Sequence, residues 1–229
     1  MKRSIKIYLY ILLGIFLNCA ETTIENNIRV LVSGKVVDGN SMPINDAFIT
    51  VSTDADAVGA VERILATGRS DTFGNFNITS LFGGNTIFQI KVEYNNNYSN
   101  YYYITNTENF RPENLVFDLQ TITLKQLSNF RYNIGRTSGL GNSLDFSFKY
   151  VDPFCKEVFN EGVIDMEMSR CFEDSFRSRT LNDNFPEDSR SIVIPLNSEV
   201  EFRYKVNDGE EQVEIINVNT IDYVFNFNY

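Results

Sequence analysis

Few side chains in this 229-residue sequence can do chemistry, and histidine is not among them, because the chain has none. That removes the usual Ser-His and Cys-His nucleophile pairs and the commonest zinc ligand. No Gly-rich phosphate loop is present either. Adjacent carboxylates, Glu173 with Asp174 and Glu210 with Glu211, are the residue type a glycosidase uses. In a chain with 30 acids they read more simply as a solvated face, so no enzyme is expected. Asp54 and Asp56, and then Asp183, Glu187 and Asp188, are oxygen ligands of the kind calcium takes. Neither stretch has the spacing of an EF-hand loop, and the expectation is acidic loops with no metal and no cofactor.

Two cysteines of the second half, Cys155 and Cys171, form either a disulfide or a pair of buried free thiols, and an oxidising compartment favours the bond. Closing a loop of that length contributes on the order of 3 kcal/mol. Tyr98, Tyr101, Tyr102 and Tyr103, with Tyr94 before them, surround Asn95-Asn96-Asn97. Such a cluster can stack on sugar rings or pack against a protein, and it is the candidate binding surface. An ordinary hairpin between two Tyr-bearing strands accounts for it equally well.

The start of the chain carries an address. Lys2, Arg3 and Lys6 precede an almost wholly apolar run from Ile7 to Leu17, which is too short for the roughly 20 residues a bilayer span takes. A basic segment followed by about 7 to 15 apolar residues is a secretory signal, here residues 1–18. The next residues, Phe16-Leu17-Asn18-Cys19-Ala20-Glu21, resemble the lipobox of bacterial lipoproteins, in the looser form found in Bacteroidetes. That resemblance implies cleavage before Cys19, acyl chains such as palmitate on Cys19, and residues 19–27 as a tether. It places the protein at the cell envelope, held in the outer membrane by its lipid and facing the periplasm or the outside. Several acyl chains anchor stably where one is marginal, at about 0.8 kcal/mol per buried methylene.

The remaining chain has ordinary globular composition, 43% hydrophobic and 22% charged, with no second long apolar run. Loss of Lys2, Arg3 and Lys6 with the signal takes the formal charge from -10 to -13. Nucleic acid is excluded as a partner, since phosphate binding needs clustered Lys and Arg.

Strand signals fill the chain: 19 Phe and 12 Tyr, many β-branched residues, and Gly, Asn and Asp between the runs. The fold class expected is all-β, with two antiparallel β-sandwich domains after the signal peptide, over residues 28–126 and 129–229. In the first, strands are predicted near 28–37, 47–52, 63–67, 75–79, 86–94, 101–105 and 115–124. In the second, Leu144, Phe146, Phe148 and Tyr150 alternate with polar residues, as do Val200, Phe202, Tyr204 and Val206, and each run is a half-buried strand. Ile221, Tyr223, Phe225, Phe227 and Tyr229 alternate likewise and are taken as the last strand of the second sandwich. Residues 126–140 are read as the boundary, and 172–191 as a surface loop.

Three stretches of the first half, Val32-Ser33-Gly34-Lys35-Val36-Val37-Asp38, Met42 to Val51 and Ser70-Asp71-Thr72-Phe73-Gly74-Asn75-Phe76-Asn77-Ile78, resemble a carboxypeptidase regulatory-like domain. The resemblance covers residues 28–124 and implies a transthyretin-like (prealbumin-like) sandwich. It implies no peptidase activity, since that domain is accessory. Turn chemistry explains the motif on its own: Gly34 suits a bulge or close backbone approach, and Gly74 takes a left-handed position after Asp71. The function expected is that of a non-enzymatic, lipid-anchored envelope protein, a structural or protein-binding module with an envelope protein as partner. The alternative is a glycan-binding lipoprotein accessory to an outer-membrane nutrient transporter.

Overall fold

A computed structural model describes residues 23–53 and 62–229. The signal segment, residues 19–22 of the tether with Cys19 among them, and the pair Asp54 and Asp56 lie outside the described residues. Within them the protein is all-β. The first seven strands are β1 (Thr23–Asp38), β2 (Phe48–Thr53), β3 (Arg63–Arg69), β4 (Asn75–Gly84), β5 (Ile87–Glu93), β6 (Tyr101–Asn106) and β7 (Val116–Leu124), near the expected positions, except that β1 begins at Thr23, within the stretch read as a tether.

They form two stacked sheets. β1 lies at the centre of the smaller one, antiparallel to β4 and parallel to β7. The larger runs β3-β2-β5-β6 with antiparallel neighbours. Inward residues of both, among them Val32 and Val36 of β1, Ile49 and Val51 of β2, Phe76 of β4 and Ile90 of β5, are excluded from solvent and make one core. Gly34 sits where β1 shifts register against β7, and a Cβ there would lie 2.8 Å from the Phe76 ring. Gly74 has φ of +80°, and a Cβ there would lie 2.3 Å from the Val36 carbonyl oxygen. The two glycines therefore permit the close approach of β1 to β4 and the turn that opens β4.

The remaining strands are β8 (Leu127–Gly135), β9 (Leu144–Val151), β10 (Cys155–Asn160), β11 (Val163–Ile164), β12 (Arg170–Cys171), β13 (Asp174–Leu181), β14 (Glu187–Pro195), β15 (Ser198–Val206), β16 (Gln212–Val218) and β17 (Asp222–Asn228). Seven of them build a second sandwich, with β13-β9-β15-β16 in one sheet and β14-β8-β17 in the other. Its core is aromatic: Phe148 is fully buried and meets Tyr132, Phe202 and Phe130 at ring separations of 4.6, 4.8 and 5.6 Å. Each such pair contributes about 0.5–1.5 kcal/mol beyond burial.

The chain does not divide at a single point. Residues 152–173 leave the second sandwich after β9 and add β10 to the first, parallel to β6, with β11 and β12 paired to β10. Local pattern shows that Cys155–Asn160 can be a strand, but it says nothing about which strand it joins. Two further expectations are corrected. The stretch read as a boundary contains β8, the central strand of its sheet, with Phe130, Tyr132 and Ile134 inside. The stretch read as a surface loop over 172–191 holds β13 and most of β14. Alternate residues of β13, Ser175, Arg177, Arg179 and Leu181, face inward, and Arg179 meets the buried Asp188.

Replacing Phe148 by alanine is expected to cost about 3–5 kcal/mol, the range for emptying a buried aromatic site. Urea unfolding followed by tyrosine fluorescence measures it. An unchanged midpoint would show that the second sandwich does not depend on this packing.

Candidate functional site

The tyrosine cluster does not form one surface. β6 alternates, so Tyr101 and Tyr103 turn into the first core and are 6% and 7% exposed, while Tyr102 faces the other way and packs on Phe154 at 5.6 Å. Tyr98 stands apart, on the β5–β6 connection beside Tyr94, in edge-to-face contact at 5.3 Å. The expected platform of Tyr98, Tyr101, Tyr102 and Tyr103 is thus overturned by strand periodicity, which sends neighbouring side chains to opposite faces.

Two clefts replace it. One, of about 540 Å³, opens where the larger sheet, extended by β10 and β11, overhangs the edge of β7. Tyr101, Tyr103, Phe110, Phe117 and Phe159 give it an apolar floor, and Asp118 and Glu157 stand in its wall. The Tyr101 hydroxyl donates to Glu157 Oε2 at 2.6 Å, and Phe159 stacks on Tyr103 at 4.4 Å. Burial, then the bond to Glu157, raises the Tyr101 hydroxyl far above the ordinary tyrosine range, so it stays a donor. The other cleft, of about 580 Å³, is polar and lies beside Tyr94 and Tyr98.

Cys155 and Cys171 are joined by a disulfide across β10 and β12, with Cα atoms 3.8 Å apart. The Phe172 amide donates to the Phe154 carbonyl at 2.9 Å, so the next pair, the cysteines, is the non-hydrogen-bonded pair whose side chains approach most closely. The arm closed in this way, residues 152–173, carries Phe154, Val163, Ile164, Met166 and Met168, all exposed.

The chain passes between the sandwiches at 125–126, at 152–154 and at 172–173. These passages are bonded to their surroundings: Ser99 N to Lys125 O at 2.8 Å, Leu127 N to Asn97 O at 2.8 Å, Leu196 N to Gln126 O at 2.7 Å and Asp152 N to Glu173 O at 2.8 Å. Lys125 Nζ lies 4.1 Å from the centre of the Phe172 ring, a cation–π contact between two of the passages.

Four of the candidate carboxylates, Asp174, Asp183, Asp188 and Glu211, have structural partners. Asp188, buried on β14, accepts from Arg179 Nη1 at 2.7 Å and from the Tyr132 hydroxyl at 2.7 Å, and Arg177 Nε donates to the same hydroxyl at 2.7 Å. Asp183 takes the Gly141 amide and the Arg136 guanidinium, and these hold its carboxyl below the usual range. Asp183, Glu187 and Asp188 therefore do not converge, and no cluster able to hold a metal ion occurs among the described residues. Asp174 pairs with Lys149 at 2.8 Å and Glu211, just before β16, with Arg203 at 3.1 Å, all on the exposed surface. Sequence reasoning missed the Asp188 network, because an acid within a charged stretch looks solvated until β13 and β14 are known to flank it.

Burial, together with the bond to Asp188, pushes the Tyr132 hydroxyl up to about 12. Because the folded value exceeds the unfolded value of about 10, its contribution is complete below pH 10 and is lost as pH rises through 12. Stability measured by denaturant from pH 8 upward should fall across that window, and Tyr132→Phe should flatten this part of the slope. An identical slope in the variant would mean that other groups carry the alkaline transition.

No family model matches the chain, and no curated protein matches it. Among solved structures it is similar to a 9R-lipoxygenase from Cyanothece PCC8801, at 16% identity and TM-score 0.30, over 52% of this chain and 20% of that one. It is similar also to the Bacillus anthracis TIE protein, at 11% identity and TM-score 0.34, over 89% of this chain and 34% of that one. A Streptococcal ancillary pilin aligns at 11% identity and TM-score 0.32, over 89% of this chain and 63% of that one. The chain spans less than two thirds of the length of each of the three, and likenesses of this size carry nothing about what it binds or does.

Proposed function

We propose that this chain is a non-enzymatic module of the bacterial envelope, lipid-anchored through Cys19, whose two sandwiches hold out the disulfide-closed arm as a docking element for an envelope protein. The arm carries this reading. It bears five exposed large apolar side chains within fifteen residues, with Val163 69%, Met166 76% and Met168 63% exposed. Apolar side chains concentrated on a surface projection mark interaction sites, and methionine adapts its shape to a partner at little conformational cost. The disulfide and the parallel pairing of β10 with β6 hold the arm in place before any partner arrives, which lowers the ordering cost of binding.

Anchoring rests on residues 1–21, whose basic, apolar and cysteine pattern resembles a lipoprotein signal of Bacteroidetes type. We further propose that the first sandwich belongs with the carboxypeptidase regulatory-like domains, as its Gly34 and Asp71–Gly74 motifs suggest, and that it serves as the platform. An outer-membrane location follows from the same reading.

Cell fractionation and crosslinking test the two halves separately. Wild type should sediment with membranes and Cys19→Ala should not. A Met166→Glu, Met168→Glu double variant should remain in the membrane but lose, by mass spectrometry, the crosslinked envelope protein that wild type recovers. A soluble wild type would overturn the anchor, and unaltered crosslinking in the double variant would overturn the arm as the docking site.

A further inference from the structure

We propose that the polar cleft beside the β5–β6 connection is a binding site for a neutral oligosaccharide. It uses residues that the docking reading leaves idle and stands independently of it. The cleft has a volume of about 580 Å³, within the range of about 300–1,000 Å³ typical of small-molecule sites. Phe48, Arg69, Tyr94, Asn96, Tyr98 and Asn100 supply its chemistry.

Sugar recognition needs an aromatic ring with an accessible face for the C–H side of a pyranose and planar polar groups for adjacent hydroxyls. Tyr94 is 40% exposed, and its edge-to-face contact with Tyr98 holds the pair in place without covering both rings. The Asn96 and Asn100 carboxamides make no hydrogen bond with any described residue, which leaves each with two N–H donors and a carbonyl acceptor for a ligand. Arg69 lies over the Phe48 ring at 5.2 Å and uses only Nη1 on Asp46, at 2.9 Å to the carboxylate, so Nε and Nη2 remain available.

Charge selects the ligand class. Asp46 offsets Arg69, and Glu93 of the cleft wall pairs with Lys91, so the charges balance and an anion gains nothing by entering. A neutral polyhydroxyl ligand matches that balance. The backbone is pre-organised as well: Asn95 Oδ1 accepts from the Asn97 amide at 2.8 Å, and Asn97 O accepts from Leu127 N at 2.8 Å, where the second sandwich begins. Little ordering remains to oppose binding.

The test is an oligosaccharide array of neutral and acidic members probed with the purified full-length protein, followed by calorimetric titration of the best neutral binder. Retention of a neutral oligosaccharide is expected, with Tyr94→Ala and Asn100→Ala each weakening it by about tenfold or more. Tyr94→Phe should keep most of the affinity, since the ring face remains, and Tyr102→Ala, outside the cleft, should leave it unchanged. Circular dichroism confirms that each variant is folded. Retention of acidic members alone, no retention at about 1 mM, or neutral binding unaffected by Tyr94→Ala and Asn100→Ala would each overturn the proposal.

Discussion

The parallel pairing of β10 with β6 is the contact on which the form of this protein depends. A parallel pair cannot be closed by a tight turn, and here the connection runs through β7 of the first sandwich and β8 and β9 of the second before the chain returns. Bringing residues so distant in sequence together carries a loop-closure cost, which the hydrogen bonds and packing of the extended sheet offset. Once β10 is in place the larger sheet outgrows the three-stranded sheet opposite. The overhang creates the apolar cleft above Tyr101 and Tyr103, and beyond it the arm projects.

The same excursion makes the two sandwiches a linked pair instead of beads on a string. A single linker would leave each sandwich free to turn about one strand. Here Lys125–Gln126 is bonded to the Asn97–Ser99 loop on one side and to Leu196 on the other, and Lys125 also meets Phe172 on the returning passage. The Tyr94 to Asn100 segment, which lines the polar cleft, is therefore fixed by the junction as well as by its own turn.

The second sandwich solves a different problem. Its inner faces carry so many aromatic rings that packing is continuous from Phe130 through Phe148 to Phe202 and Phe225. At β13 and β14, the edge strands of the two sheets, this packing ends at a polar seam of Asp188, Tyr132, Arg177 and Arg179. Removing one member of such a seam would leave a buried charge or donor unpaired, whereas the intact set satisfies each group.

The all-β class, the seven strands of the first sandwich and the alternating strands around Phe146, Phe202 and Phe225 were legible in the sequence, because a period of two and the turn residues Gly, Asn and Asp are local properties. Gly34 and Gly74 were legible for the same reason, as their roles depend on backbone geometry within a few residues. The pairing of Cys155–Asn160 with β6, the burial of Tyr101 and Tyr103 away from Tyr98, the seam around Asp188 and the junction cleft belong to tertiary structure alone. Each depends on which strand lies beside which. Backbone hydrogen bonds, the same for every residue type, hold strands together without recording that choice, and only the packing of distant side chains decides it.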